Sequence, residues 1–575
     1  MELLVVLVVL GVLCVVAVNA IAPRLRVSAP LLLVVLGVLV SVQPFVATPV
    51  VEVDAEIVLA GVLPLLLFAA ARSMPATSFR RNLSSITGLS ITLVVISALT
   101  LGAMFSAMLP GLGLAGGIAM GAILSPTDAV ATSIVKKLGV APRVVALLDG
   151  EAMLNDASAL VLLRAAIAAS ISAVSIRSVV GTFALSVVIA TVIGSAVGHL
   201  TLRIRRRVAE ATVNTLLSFA VPFIAYLPAE HLGASGLVAV VAAGLVIGQG
   251  APRYLAPEHR INETLNWETI EMLLEGSVFL VMGLQLFPLL RDVRTSDASI
   301  GFAFALAGLA LAITLGARAV WAVPLLGSAR HRQRKYDASR ARLEELDHDL
   351  VQTPAAKAAL DKREAHHVAR LQTRVRRVLA DAKYVASRPL GVRDGVLLVW
   401  AGMRGAITLA AAQTLPPAMP HRSLLVLIAF LVATGSLLVQ GGTLAWVIRR
   451  LRFPPPDRAE LERENLALLA EAETAALTML ADPGLRRPDG TAYDPAVIER
   501  LRERVVRAAN DSAATEVFGS VEGLLDRVFD AQRGAVMSAR EDGVYSAEAL
   551  GAALRRIDAM QLAFQIASSS RADAG

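Results

Sequence analysis

Charged and amide side chains stand inside apolar stretches of this chain at three places. Asp128 lies in Ser125-Pro126-Thr127-Asp128. Glu151, Asn155 and Asp156 follow in Gly150-Glu151-Ala152-Met153-Leu154-Asn155-Asp156. Arg404 interrupts Trp400-Ala401-Gly402-Met403-Arg404-Gly405-Ala406. An ionisable group in hydrocarbon costs a few kcal/mol or more unless it is paired or lines a wet cavity. Carboxylates in such places have two chemistries open to them: holding a small hard cation, or trading a proton. Arginine stays protonated in proteins and serves as a fixed counter-charge.

The local pattern around each group sharpens this. Proline removes a backbone donor and clashes with the preceding turn, so the helix must break or kink at Pro126. Ser125 is then placed to cap a new half-helix, with Pro126 first and Asp128 third, in a capping-box-like arrangement. The positive end of that half-helix favours ionised Asp128, and the freed carbonyls supply oxygen ligands. The plain alternative is a proline kink with an aspartate cap, but a kink needs no carboxylate at mid-membrane. On the next stretch, Asp156 falls roughly 20 Å in from residue 143. Glu151 and Asn155 share one helix face, and Asp156 is turned about 100° away. Asp128 and Asp156 therefore sit at similar depth on consecutive spans and can meet. An aspartate that alternates between cation and proton couples the two by competition; the alternative is an Asn–Asp hydrogen bond that locks helices. Arg404, flanked by glycines, needs a buried carboxylate, and Glu151 is the partner expected, as a structural ion pair. Arg164, near the end of its span, snorkels.

The elements that carry these groups are membrane spans. The chain of 575 residues is 55% hydrophobic and 18% charged, with mean hydropathy +0.64, against about 25% charged for soluble domains. A spanning helix takes about 20 apolar residues, and about thirteen candidates follow: residues 2–21, 28–45, 55–71, 84–108, 112–137, 143–170, 178–202, 212–229, 232–250, 269–290, 299–326, 393–416 and 423–447. Alternate loops are basic, as at Arg72, Arg80 and Arg81 or Arg203, Arg205, Arg206 and Arg207, while others are acidic or neutral, as in Glu52-Val53-Asp54-Ala55-Glu56. Positive loops stay inside, so the N-terminus is expected outside and the C-terminus in the cytoplasm. The first apolar run lacks the basic leader of a cleaved signal and reads as a retained helix. Spans five and twelve cross in opposite directions and are both interrupted at mid-depth, the mark of paired broken helices in an inverted-repeat transporter.

Two charged pieces lie outside the spans. Residues 327–391 read as a helix-favouring cytoplasmic insertion, and residues 451–575 as a helical cytoplasmic tail beyond Pro454-Pro455-Pro456. Pro488-Asp489-Gly490 and Asp482-Pro483-Gly484 read as turns. The net charge of +7 belongs to loops, and 5% aromatic residues are too few for base stacking, so no nucleic-acid partner is expected. One cysteine, Cys14, excludes an intrachain disulfide and a cysteine metal cluster. No nucleotide loop, zinc motif or nucleophile elbow points to an enzyme, and no repeated pore loop points to a channel.

The segments Ser125-Pro126-Thr127-Asp128-Ala129-Val130, Gly150 to Ala157 and Gly402-Met403-Arg404-Gly405-Ala406 resemble the signatures of the cation–proton antiporter-1 family, the sodium–proton exchangers. The resemblance covers roughly residues 1–450. It implies an all-α, thirteen-helix inverted-repeat fold, usually a homodimer in the plasma membrane. It also implies exchange of sodium or lithium for protons, electroneutral because Asn155-Asp156 stands where electrogenic members carry two aspartates. It assigns Asp156, Asp128, Asn155 and Thr127 to the ion and proton site, with Asp128 and Asp156 as ligands of transported sodium. Glu151 and Arg404 become the stabilising pair, and no cofactor is implied beyond the transported ions. The chain departs from the family pattern at Ala152, where serine is frequent, at Ala129, where many members have proline, and in Leu67-Phe68-Ala69-Ala70-Ala71, which lacks a glutamate found in some members. Potassium–proton exchange stays open as the alternative.

Overall fold

The computed structural model describes residues 2–25, 27–42, 54–171, 176–295, 299–351, 374–375, 377–381, 384, 390–454, 458–487, 490–508 and 522–572. Glu52, Val53, Pro455, Pro456, Pro488, Asp489 and most of the 352–389 segment lie outside them. Among the described residues the elements are helices, with one isolated bridge between Arg486 and Ala492. The chain divides into two compact units, one of Met1–Gln249, Glu263–Ser328 and Leu390–Pro456, the other of Gly250–Asn262, Ala329–Pro389 and Asp457–Gly575.

The first unit contains α1 (Glu2–Leu25), α2 (Ala29–Ser41), α3 (Leu63–Ser73), and the continuous α4 (Ala76–Thr87) and α5 (Leu93–Met108), joined by a π-helical turn. Then come the half-helices α6 (Gly113–Leu124) and α7 (Val130–Lys137), followed by α8 (Pro142–Ile171), α9 (Ile176–Arg205), α10 (Ala211–His231) and α11 (Gly236–Tyr254). Next are α12 (Pro257–Leu284), α13 (Leu286–Thr295) and α14 (Ile300–Val351); the end of α11 from Gly250, the start of α12 up to Asn262 and α14 from Ala329 belong to the second unit. A second pair of half-helices follows, α15 (Val392–Trp400) and α16 (Ala406–Gln413), then α17 (Arg422–Ser436) and α18 (Gly442–Leu451). Among the described residues nine helices are long and apolar enough to cross a membrane, and Ala29–Ser41, Ile57–Ser73 and Gly113–Leu124 are shorter apolar helices. Helix α14 does not stop at residue 326; it runs on to Val351, into the charged stretch read as an insertion.

Apolar surface is left uncovered where lipid is the neighbour. Val5, Leu7, Val8, Leu10 and Leu13 of α1 are all exposed, as a helix facing hydrocarbon requires. Inside the unit, helices approach through small residues, which let backbones come close where no hydrophobic force drives them together. Gly117 and Gly121 of α6 lie against the backbone carbonyls of Gly102 and Ala98 on α5, with no room for a β-carbon.

The second unit holds α19 (Arg458–Leu480), α20 (Pro495–Ala508), α21 (Glu522–Asp542) and α22 (Ala547–Ala572). Leu468, Ala472, Ala476 and Leu480 recur every four residues and pack on Leu524, Val528, Val536, Leu550 and Ile557, the stripe of a core-facing helix. The turn after α19 forms as expected, with the Gly484 amide donating to Asp482 Oδ1 at 2.8 Å.

The Gly121 contact is with backbone, which cannot swing aside. Gly121→Ala is expected to destabilise by about 1–3 kcal/mol through overpacking, lowering the unfolding temperature in detergent. Gly308→Ala, where nothing lies within 4 Å, serves as the control and should leave it unchanged or raise it. Equal behaviour of the two variants would refute the close-packing account.

Candidate functional site

Two helices break in the middle of the first unit, and their breaks touch. The Asp128 amide donates to Met403 O at 2.8 Å. Each break leaves carbonyls without an intrahelical donor and amides without an acceptor. Arg404, 2% exposed, donates from Nε to Leu124 O at 2.8 Å and from Nη1 to Gly402 O. One guanidinium thus covers the carbonyl end of α6 and a carbonyl of its own break. Ser436 Oγ at the end of α17 accepts from the Arg404 amide at 2.8 Å. On the amide side, Val130 N donates to Asp128 Oδ1 at 3.3 Å. Asp128 Oδ2 is buried without a partner and lies against Gly405, where a β-carbon would collide with it.

The restart differs from the sequence expectation. Ser125 keeps helical backbone (φ −80°, ψ −32°), and its hydroxyl donates back to Ala122 O at 2.9 Å. It closes α6 instead of opening α7. The new half-helix begins at Val130 with Ala129 as its N-cap, and Asp128, just before it, accepts from the Val130 amide. An N-cap that bonds through its side chain needs extended backbone, which Ser125 does not adopt.

The ion pair also differs. Glu151 does not bond Arg404. Its carboxylate takes both ends of the Arg318 guanidinium, with Nη2 to Oε2 at 2.6 Å and a second bond from Nη1 to Oε1. Arg318 Nε donates to Leu398 O at 2.6 Å, near the carbonyl end of α15. A β-carbon on Gly402 would stand 2.6 Å from Arg318 Nε, so that glycine makes room for the arginine. Planar bidentate geometry suits arginine and carboxylate, and Arg404 is already committed to backbone carbonyls. Thr127 Oγ1 donates to Glu151 Oε1 at 3.1 Å, and Asn155 Nδ2 donates to Thr127 Oγ1 at 2.6 Å. Thr127, Glu151 and Asn155 are therefore one chain of hydrogen bonds, while Asn155 Oδ1 is buried and unbonded.

Asp156 is 5% exposed and lines a small cavity with Pro126, Ala159, Leu163 and Ile407. The charge acting on it is the Asp128 carboxylate. The sequence expectation placed these two aspartates at like depth, and the fold puts them within electrostatic reach. Neither carboxylate has an arginine on it. Among the groups of the two breaks and their hydrogen-bond partners, two arginines face three carboxylates (Glu151, Asp128, Asp156), one negative charge over; Glu275 of α12 is a fourth carboxylate, acted on by Asp128, and stands outside that count.

Sequence reasoning passed over several charges. Arg318 stands in Leu315-Gly316-Ala317-Arg318, an apolar run where a lone charge is itself the signal. Glu275 on α12 is acted on by Asp128 and carries no hydrogen bond. A second buried cluster joins Glu263 to Arg205 at 3.0 Å and to Ser218 at 2.6 Å, with Trp267 Nε1 donating to Ser218 Oγ at 2.9 Å. Arg205 Nε donates in turn to Asn214 Oδ1 at 2.5 Å. The sequence had placed Arg205 in a basic loop. Arg164, read as a snorkelling side chain, pairs with Glu230 at 2.8 Å and is 60% exposed.

Comparison with known proteins gives this arrangement a family. Residues 9–344 match the model of the transmembrane sodium/hydrogen exchanger family. An uncharacterised Na+/H+ exchanger of Mycobacterium tuberculosis is 29% identical over 480 residues, 81% of this chain and 79% of that protein. A sodium, potassium, lithium and rubidium/H+ antiporter of Bacillus subtilis is 30% identical over 303 residues, 51% of this chain and 45% of that protein. The solved structure of the sodium proton antiporter MjNhaP1 from Methanocaldococcus jannaschii superposes with a TM-score of 0.55 at 16% identity, covering 78% of this chain and 99% of that one. That likeness is one of fold.

The ion-pair assignment has a direct check. Removing one partner of a buried pair costs about 3–5 kcal/mol because the other charge is stranded. Glu151→Gln and Arg318→Gln should each lower the unfolding temperature in detergent, and the double variant should lose much less than the sum. The cycle between Glu151 and Arg404 should show the weaker coupling. The reverse ranking would return the pair to Arg404.

Proposed function

This chain belongs to the sodium/hydrogen exchanger family, and on that premise we propose that it exchanges sodium or lithium for protons, one for one, across the plasma membrane. Asp156 and Asp128 carry the exchanged species, with Asn155 and Thr127 beside them as further oxygen ligands. Glu151 serves through its pair with Arg318. The observation that carries the reading is that Asp128 and Asp156 act on each other with no arginine on either, which leaves one negative charge over among the groups of the two breaks, Glu275 of α12 left aside. One proton neutralises it, and so does one monovalent cation. The two compete for the same carboxylates, and the exchanged charges are equal, which makes the cycle electroneutral.

We read the short apolar helices and the broken 392–413 segment as further crossings, which brings the number to thirteen. The basic loops set the N-terminus outside and the C-terminus in the cytoplasm. A homodimer is the expected assembly. Residues 451–575 act as a cytoplasmic tail, and the insertion shares that side. Potassium–proton exchange is the second reading, favoured by the cations named for the Bacillus subtilis relative and by Ala152, which offers no hydroxyl beside the site.

The test is proton movement in proteoliposomes under an imposed cation gradient. Asp156→Asn and Asp128→Asn should each abolish it in protein that inserts and unfolds normally. Sodium-driven proton flux retained by Asp156→Asn would remove that residue from the mechanism. Sodium, lithium and potassium gradients compared at equal size rank the cations directly.

A chain ending just after Pro454-Pro455-Pro456 keeps every residue of the proposed site. It should still exchange, with an altered rate or pH profile measured in vesicles and normalised to inserted protein. Complete loss in a well-inserted truncation would place the tail inside the transport machinery.

A further inference from the structure

The buried polar groups of the second unit converge on one carboxylate. Asp558 of α22 is 6% exposed. Arg260, on the first turn of α12, grips it through Nε to Oδ2 at 3.0 Å and Nη2 to Oδ1. The same guanidinium donates from Nη1 to Leu255 O at 2.6 Å and Pro252 O at 3.2 Å. These carbonyls end α11, so Arg260 also holds the elbow between α11 and α12. A second cation, Arg533 of α21, stands 3.6 Å from Asp558 and donates to Gln561 Oε1 at 2.6 Å and Asp530 Oδ1 at 2.8 Å. Gln561 Nε2 reaches Asp526 Oδ1 at 3.1 Å.

A tail that merely hangs from the last span has no need of this. Burying two guanidiniums and a carboxylate carries a desolvation cost that apolar packing would avoid. What it obtains is a fixed geometry: a bidentate fork admits one orientation of the two partners. The contact is remote in sequence, with nearly three hundred residues between its ends. It clasps the start of a helix, α12, that continues past Glu263, Trp267 and Glu275. Glu263 is anchored by Arg205 and Ser218, and Glu275 feels Asp128. The helix that carries Glu275 thus has its first turn held by Asp558 of α22.

We infer that Asp558 is a positioning residue for transport: through Arg260 it docks the C-terminal helices onto the α11–α12 elbow and fixes α12, so that turnover depends on this one contact. The inference rests on the exchange reading above. Asp558 touches no transported ion, and cation affinity is set elsewhere. Its loss should lower turnover and leave the cation KM alone.

The experiment uses the full chain in Asp558→Asn, Asp558→Glu, Arg260→Gln and the Asn/Gln double variant. Two readouts are taken: amide hydrogen exchange over residues 250–262, and cation-driven proton flux per folded, inserted molecule. Asp558→Asn takes from Arg260 its bidentate carboxylate, while Arg533 keeps Asp530, so amide exchange over the elbow should rise on the order of 100-fold. Turnover should fall roughly 5-fold, the low end of usual coupling between distant sites, with KM unchanged. Asp558→Glu should recover part of the turnover, and the double variant should be no slower than the slower single. Unchanged protection of residues 250–262 in Asp558→Asn overturns the contact. A loosened elbow with unchanged turnover overturns the positioning role. A rise in KM with turnover intact also overturns it, because it would place Asp558 in ion binding. If the unaltered chain moves no protons under any cation gradient, the exchange reading falls and the positioning role with it, while the elbow protection still reports on the contact.

Discussion

Two helices that stop and restart inside an apolar layer leave backbone groups with no water to bond. In lipid each such group costs several kcal/mol, and the crossing of α6–α7 with α15–α16 puts two sets of them side by side. Both arginines and Asp128 at the centre of this protein answer that need. Arg404 takes Leu124 O and Gly402 O, Arg318 takes Leu398 O, and the Asp128 amide takes Met403 O. Asp128 also receives the first amide of α7. Glycine is required at 402 and 405 because an arginine and a carboxylate occupy the space of their β-carbons. The helix dipoles point the same way, with cations at carbonyl ends and an anion at an amide end.

Satisfying carbonyls with guanidiniums imports two positive charges, and the rest of the site follows from that import. Glu151 is consumed by Arg318 in a bidentate pair, and Thr127 and Asn155 extend the pair as hydrogen-bond partners. A buried carboxylate so held is poorly suited to exchange its counter-ion, since release would strand Arg318. Asp128 and Asp156 are held by no arginine. Under the proposed exchange they are the groups at which a proton or a cation comes and goes without dismantling the crossing.

The sequence made the architecture legible because hydrocarbon punishes exceptions. Pro126 marked the first break, Gly402 and Gly405 the second, and charges in apolar runs marked the site. What it did not yield was pairing. Two arginines, 318 and 404, lie near the same carboxylate, and nothing in their spacing says which is spent on carbonyls; Arg318 went unread inside the longest helix. The Ser125-x-x-Asp128 pattern misled for a local reason. The same residues cap a helix start only if the serine is extended, and here Ser125 finishes the preceding turn. The Arg260–Asp558 contact joins residues nearly three hundred positions apart and has no local signature. The stripe from Leu468 to Leu480 did, because helical periodicity is written in neighbouring residues.

The charge count also bears on why such a site would exchange ions and not leak them. A crossing with one uncompensated carboxylate, carried through an apolar barrier, pays the cost of an unpaired charge in low dielectric. That cost is several kcal/mol after relaxation, enough to make the bare site rare in any intermediate position. A bound proton or a bound monovalent cation removes the charge, and the neutral site passes. Under the proposed exchange, then, the site crosses loaded with one or the other and is held back when empty. Coupling needs no separate gate that senses occupancy; it follows from two arginines placed to close helix ends and three carboxylates placed against them.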